Sequence, residues 1–238
     1  MKSPGRDCEI LFEDDHLIAA VKPSGLPTAN APRGTASLFT LLQARGPAGA
    51  FLGIVSRLDA PVSGVVVVAK TRTAAAGLAE QFRERTVDKS YSAVVSGRFP
   101  APLGQWVDWH DAISREEGER RSEIHQGPDV DADAASQRPA HARARVVRRA
   151  GEVSLVELEP STGRRHQLRV QLASRGCPIV GDRMYGSRLP CPAGGLALHA
   201  TRLAIDHPAS GRRMAFEAPC AGPWRMVFPS LFTGRSSG

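Results

Sequence analysis

The stretch Ser56-Arg57-Leu58-Asp59-Ala60-Pro61-Val62-Ser63-Gly64-Val65-Val66-Val67-Val68-Ala69 sets one carboxylate against an uninterrupted apolar run. Val65 to Ala69 predicts a strand buried on both faces, because a strand with one wet face alternates apolar and polar side chains. An Asp at the mouth of such a strand must be solvated, hydrogen-bonded or paired, since desolvating an isolated carboxylate is too costly. A second stretch, Thr162-Gly163-Arg164-Arg165-His166-Gln167-Leu168-Arg169, offers the cations. Arg165 and Arg169 stand four apart on a predicted helix, an arrangement that calls for an anion between or above them. The preceding Ser161-Thr162-Gly163 turn aims backbone N–H groups at the same neighbourhood. The anion is either a ligand phosphate or Asp59, and on residue types alone a structural Asp–Arg ion pair or a solvated basic face explains the pattern as well.

Composition narrows the partner. The 238 residues carry 31 Lys and Arg against 24 Asp and Glu, a formal charge of +7, and 42% are hydrophobic. A packed globular protein with an anionic partner is implied, nucleic acid first among the candidates. The four cysteines, Cys8, Cys177, Cys191 and Cys220, show no C-x-x-C or zinc-like spacing. No metal or organic cofactor is expected. No apolar run reaches the length of a membrane span and the polar start has no signal core, so a cytoplasmic monomer with reduced thiols is expected.

Outward from the opening stretch, Glu9 to Phe12 and Leu17 to Val21 predict a hairpin, which Lys22-Pro23-Ser24-Gly25-Leu26-Pro27 breaks. Ser37 can cap a helix with Leu38, Leu41 and Leu42 on one face, ending near Gly46. Thr71 to Arg85 reads as a helix with Leu78 and Phe82 one turn apart, and Lys89 to Gly97 as a strand. The pattern weakens from Leu103 to Arg145, which predicts a variable surface excursion. Val153 to Glu159 is a strand, a turn then leads into a helix from about Arg165 to Ser174, and Leu196 to Ile205 and Met214 to Ala218 read as closing strands before an apolar tail, Trp224 to Phe228. With no repeat or linker, residues 1–238 are read as one catalytic domain, its core about 10–228.

Several segments together carry a resemblance. Glu13-Asp14-Asp15-His16-Leu17, Lys22-Pro23-Ser24-Gly25-Leu26, Arg57-Leu58-Asp59 with Ser63-Gly64 and Val68-Ala69-Lys70-Thr71, and Lys89-Ser90-Tyr91 with Gly97 come first. Thr162-Gly163-Arg164-x-His166-Gln167-Leu168-Arg169-Val170, Gly176-x-Pro178-Ile179-x-Gly181-Asp182-x-x-Tyr185-Gly186, Leu198-His199-Ala200-x-x-Leu203 and His207-Pro208 follow. In this order they resemble the successive signatures of the RluA family of pseudouridine synthases. Each alone is weak, and the ordered set is specific.

The resemblance implies a mixed α/β (α+β) fold: a largely antiparallel central sheet flanked by helices and loops, with an active-site cleft. It implies isomerisation of uridine to pseudouridine in ribosomal or transfer RNA, with no cofactor. Asp59 matches the family's catalytic Asp, which acts on a flipped-out uridine by attacking the anomeric carbon, attacking the base or removing a sugar proton to form a glycal. The uracil detaches and rejoins the sugar through carbon. Arg169 matches the arginine that pairs with that Asp and keeps it ionised. Tyr91 matches the tyrosine that stacks on the base, Arg57 the side chain that fills the space left by the flipped nucleotide, and Leu168 a wall of the base pocket.

Four positions depart from the family pattern: Ser56 and Gln171 where His is usual, and Val62 and Arg165 where Thr is usual. They mark a divergent member and bear on substrate preference more than on chemistry. The chain is also expected to lack the accessory RNA-binding domain that many relatives carry ahead of the catalytic domain, leaving that domain to grip RNA itself. Two other functions fit parts of the pattern. One is a non-catalytic RNA-binding or remodelling protein on the same fold. The other is a glycoside or nucleoside hydrolase pairing Asp59 with a second acid such as Asp182.

Overall fold

The computed structural model describes residues 8–32, 34–114, 121–125, 137–192, 194–220 and 222–232. Along the chain run β1 (Glu9–Glu13), β2 (Leu17–Lys22), α1 (Leu38–Gln43), β3 (Gly53–Ile54), β4 (Ser63–Ala69), α2 (Arg72–Glu84) and β5 (Asp88–Ser96). Then come β6 (Trp106–Ser114), β7 (Glu123–His125), β8 (Arg138–Ala150), β9 (Val153–Pro160), α3 (Gln167–Ser174), β10 (Leu198–Asp206), β11 (Arg213–Glu217) and α4 (Gly222–Val227). The chain divides into two compact units, residues 1–89 with 199–219 and residues 90–198 with 220–238.

In the first unit the valine run behaves as its composition dictates. Val65 and Val67 pack with Leu17, Ala19, Leu78 and Ile205, while Val66 and Val68 pack with Ile18, Ala20, Leu38 and Leu42. Both faces of β4 are therefore covered. β1 and β2 form the expected hairpin, and the Asp14 carboxylate shapes its turn by accepting from the His16 and Leu17 N–H groups at 2.8 and 2.9 Å. β2 and β3 pair antiparallel with β4. β10 lies parallel to β4 through His199 and Ala200, and β11 closes antiparallel on β10. Ser37 caps α1 in a capping box completed by Thr40, and the helix ends at Ala44, before Gly46. Thr71 caps α2, which closes on Arg85 in the left-handed conformation.

The second unit is an antiparallel sheet in the order β5-β9-β8-β6-β7. Here the structure departs from the expected surface excursion over 103–145, because β6 and β8 pair from Trp106↔Arg145 to Ile113↔Arg138. Ala140, Ala142, Ala144 and Val146 are buried while His141, Arg143 and Arg145 face outward. This is clean strand alternation written mostly in alanine. The rest of the expected excursion, 115–120 and 126–136, lies outside the described residues. The tail read as Trp224 to Phe228 contains a short helix, α4. Mostly antiparallel strands with few helices match the expected mixed α/β (α+β) class.

Candidate active site

Asp59 sits half-buried at the start of a tight turn closed by Val62 N–H donating to the Asp59 carbonyl at 3.0 Å. The turn is held from below by the segment the sequence marks only as a strand breaker. The Thr28 hydroxyl donates to the Leu58 carbonyl at 2.8 Å and accepts from the Leu58 N–H at 3.2 Å. Gly25 N–H donates to the Ala60 carbonyl at 2.8 Å, and the Ser24 hydroxyl to the Pro61 carbonyl at 2.8 Å. Residues 58, 60 and 61 are thus pinned on either side of the carboxylate, so the turn cannot move without breaking several bonds at once.

Lys22 completes this clamp and is the residue that sequence reading undervalued. Its side chain is fully buried, and Nζ donates to the carbonyls of Leu26, Pro23 and Ala60 at 2.7, 3.0 and 3.1 Å. Burial pushes its ammonium down to about 8, and the charge of Asp59 opposes that shift. The signal was the apolar strand Leu17 to Val21 ending on a lysine, since a lysine flanked by buried residues needs several acceptors.

The turn's downstream root is equally fixed. The Ser63 hydroxyl bonds His199 Nδ1 at 2.8 Å, and His199 Nε2 donates to the Ala218 carbonyl at 2.8 Å. Burial lowers the His199 pKa, so the neutral ring donates from Nε2 and accepts the serine proton at Nδ1. A Cβ on Gly64 would lie 2.3 Å from the Ala200 carbonyl oxygen, and its φ of 123° is open to glycine alone.

In the second unit Arg169 is 5% exposed and is held bidentately, Nε to Asp182 Oδ2 at 2.7 Å and Nη2 to Asp182 Oδ1 at 2.9 Å. Its guanidinium also lies over the Tyr185 ring, 5.1 Å from the centroid. Tyr185 in turn bonds His166 Nδ1 at 2.9 Å and accepts from the Ser122 N–H at 2.8 Å. Both Asp182 oxygens accept from Arg169, a structural use for the acid that the hydrolase alternative would pair with Asp59.

Two expectations about this segment are corrected. α3 begins at Gln167, because His166 takes a left-handed backbone conformation, φ 56°, with its ring tied to Tyr185. Arg165 therefore stands before the helix, exposed, and not on one face with buried Arg169. Nor is the Ser161-Thr162-Gly163 turn an open nest of donors. Ser161 and Thr162 N–H groups donate to the His141 carbonyl, and Arg164 N–H donates to Gln167 Oε1 at 3.0 Å. Gln171, a departure from the family pattern, has a structural use: fully buried, it donates to Asp111 Oδ2 and the Ala140 carbonyl at 2.8 and 2.9 Å.

The remaining expected residues fall as follows. Arg57 is exposed, two residues before Asp59 in the first unit. In the second, Tyr91 is half-buried on β5 opposite Leu158, and Leu168 is 7% exposed on α3, next to Arg169. Val62 is buried and Ser56 half-buried. Among the described residues no group of three His, Cys, Asp or Glu side chains gathers to hold a metal ion.

A family described as RNA pseudouridylate synthase matches residues 16–174. Ribosomal large subunit pseudouridine synthase C of Vibrio vulnificus (strain CMCP6) is 32% identical over 234 residues, which are 95% of this chain and 70% of that protein. The chain belongs to the RNA pseudouridylate synthase family. The enzyme class implied by the ordered motifs, an RNA pseudouridine synthase, is therefore the class of this chain. The protein of the same name from Yersinia pestis is 36% identical over 219 residues, 90% of this chain and 65% of its own length. The chain thus spans 65% to 70% of the length of these two curated relatives. Human RNA Pseudouridylate Synthase Domain Containing 1 matches in structure with a TM-score of 0.74 at 27% identity, covering 97% of this chain and 89% of that one. Human RNA Pseudouridylate Synthase Domain Containing 4 shares the fold, with a TM-score of 0.73 at 23% identity over 94% and 93% of the two chains. Among the described residues no helix is long and apolar enough to cross a membrane.

Proposed function

We propose that this chain isomerises uridine to pseudouridine in large-subunit ribosomal RNA, with its two units working as one catalytic domain. Asp59 is the reacting carboxylate: the C1′–N1 bond breaks, uracil rotates, C1′–C5 forms, and the proton lost from C5 is balanced by the one gained at N1. Arg169, oriented by Asp182, holds Asp59 ionised, with Lys22 adding a second positive field. Tyr91 stacks on the uracil, Leu168 walls its pocket, and Arg57 fills the gap that the flipped nucleotide leaves in the RNA, offsetting a few kcal/mol of unstacking. The observation that carries the reading is the clamp of residues 22–28 on residues 58–61, which fixes one half-exposed carboxylate in place. Ribosomal RNA is preferred over transfer RNA on the names of the relatives.

The test incubates the purified chain, wild type and Asp59→Asn, with transcribed large-subunit ribosomal RNA and with unmodified transfer RNA, and maps pseudouridine. Wild type should modify the ribosomal transcript, and Asp59→Asn should form at least about a thousandfold less product, the scale expected when a nucleophile is removed. Product from Asp59→Asn at the wild-type rate would end the assignment. Modification of transfer RNA alone would end the ribosomal preference.

A further inference from the structure

The segment after Asp182 is unusually well braced for one so exposed. Tyr185 and Ser187 N–H groups donate to the Asp182 carbonyl at 3.1 and 3.0 Å, and Gly181 N–H and the Ser187 hydroxyl donate to the Leu189 carbonyl at 2.9 and 3.1 Å. With the Asp182 carboxylate on Arg169 and the Tyr185 hydroxyl on Ser122 and His166, the segment is tied on several sides. Yet it leaves Met184 36% and Leu189 39% exposed. Met184 Sδ lies 3.7 Å from Arg169 Nη2.

Charge sets this segment apart as well. Arg183 and Arg188 are exposed and have no carboxylate partner among the described residues. The outward arginines of β8 are by contrast neutralised, Arg143 by Glu159 and Arg145 by Glu157 at 2.6 and 2.7 Å. A rigid rim with apolar tips between unneutralised guanidiniums suits an RNA segment whose base has left its stack. Apolar side chains cover base faces, and guanidiniums take phosphates. A thioether on an unbranched stem can follow bases of different outline.

We propose that Met184 is a specificity-determining contact for the nucleotide adjoining the reacting uridine, and that Arg183 and Arg188 grip the flanking phosphates. This rests on the reading that Arg169 attends the reacting carboxylate during RNA isomerisation.

The test has a readout independent of turnover. The folded chain is exposed to dilute peroxide with and without saturating transcribed large-subunit ribosomal RNA, or transfer RNA in parallel. Sulfoxide is then quantified at Met184 and at Met226, which is 80% exposed and serves as internal control. Bound RNA should slow oxidation of Met184 at least about fivefold relative to Met226, as burial under a base would. Equal protection of the two, or none at Met184 with RNA bound, overturns the contact.

In steady state Met184→Ala should raise KM about fivefold at nearly unchanged kcat, with Met184→Leu restoring it, the split expected of a binding contact. A fall in kcat at constant KM overturns it. Replacing both Arg183 and Arg188 by Glu should flatten the log–log salt dependence of RNA binding by roughly 1.5 or more, and an unchanged slope removes the phosphate contacts. Protection of Met184 without isomerisation of either RNA would sink the proposed function, and with it the link of this contact to a reacting uridine, leaving an RNA contact at Met184. Isomerisation without protection would do the reverse.

Discussion

The turn that carries Asp59 and the helix that carries Arg169 are immobilised by opposite means. Under Asp59 a buried cation, Lys22, is satisfied by backbone carbonyls, and it feels the carboxylate of Asp59 through its field. Around Arg169 a buried cation is satisfied by a carboxylate of its own, Asp182, in fork-to-fork geometry. The first arrangement makes the scaffold's charge sensitive to Asp59. The second fixes a charge that no pH in the working range can remove.

The sharpest way to break the comparison is at Asp182. Asp182→Asn keeps the shape but replaces one acceptor by a donor facing a guanidinium. Breaking this buried pair should then lower stability by about 3 to 5 kcal/mol, measured by denaturant unfolding. A loss under about 1 kcal/mol would show that Arg169 does not depend on this partner.

Lys22→Met should do less to stability, about 1 to 3 kcal/mol, because lost hydrogen bonds are partly offset by removing a buried charge. Its signature should be catalytic, with kcat on the transcript down about tenfold or more as the Asp59 turn loosens. If kcat is retained, the clamp is architecture only.

The charge of Lys22 gives a finer test. Its folded pKa, about 8, lies below the ordinary lysine value of 10.5. Between these values the unfolded chain binds the proton that the folded chain has released, so stability rises with pH across that window. The lysine's contribution is complete above 10.5 and is lost as pH falls through 8. Wild type should therefore gain stability relative to Lys22→Met from pH 8 to pH 10, read as the difference in unfolding midpoints. Parallel curves would contradict it.

Smallest of all, Glu159→Ala should change stability by under about 1 kcal/mol, since it breaks an exposed pair with Arg143. A larger loss would place the β8 ladder among the structural supports.

What the sequence made legible follows from how each element is stabilised. β4 is a continuous valine run and was plain, as were α1 and α2 with their Ser37 and Thr71 caps. β8 was hidden because its buried face is Ala140, Ala142 and Ala144, and alanine gives little strand signal even at perfect alternation. Asp59 stood out by its setting, a carboxylate at the mouth of an apolar strand, while its catalytic role is carried by the resemblance alone. The clamp beneath it could not be read, since carbonyl oxygens exist at every residue and leave no mark on composition. The start of α3 was misread for a related reason. The left-handed turn at His166 is imposed by Tyr185, nineteen residues on.

Gly64 gives the Asp59 turn a tolerance smaller than a carbon atom. The turn hangs five residues upstream of a point where the first unit's parallel strands touch backbone to backbone, with room for a hydrogen and nothing more. Any side chain there would act as a shim, and wedging those strands apart would displace the carboxylate. A position with no functional group thus works as the gauge block against which the Asp59 loop is set.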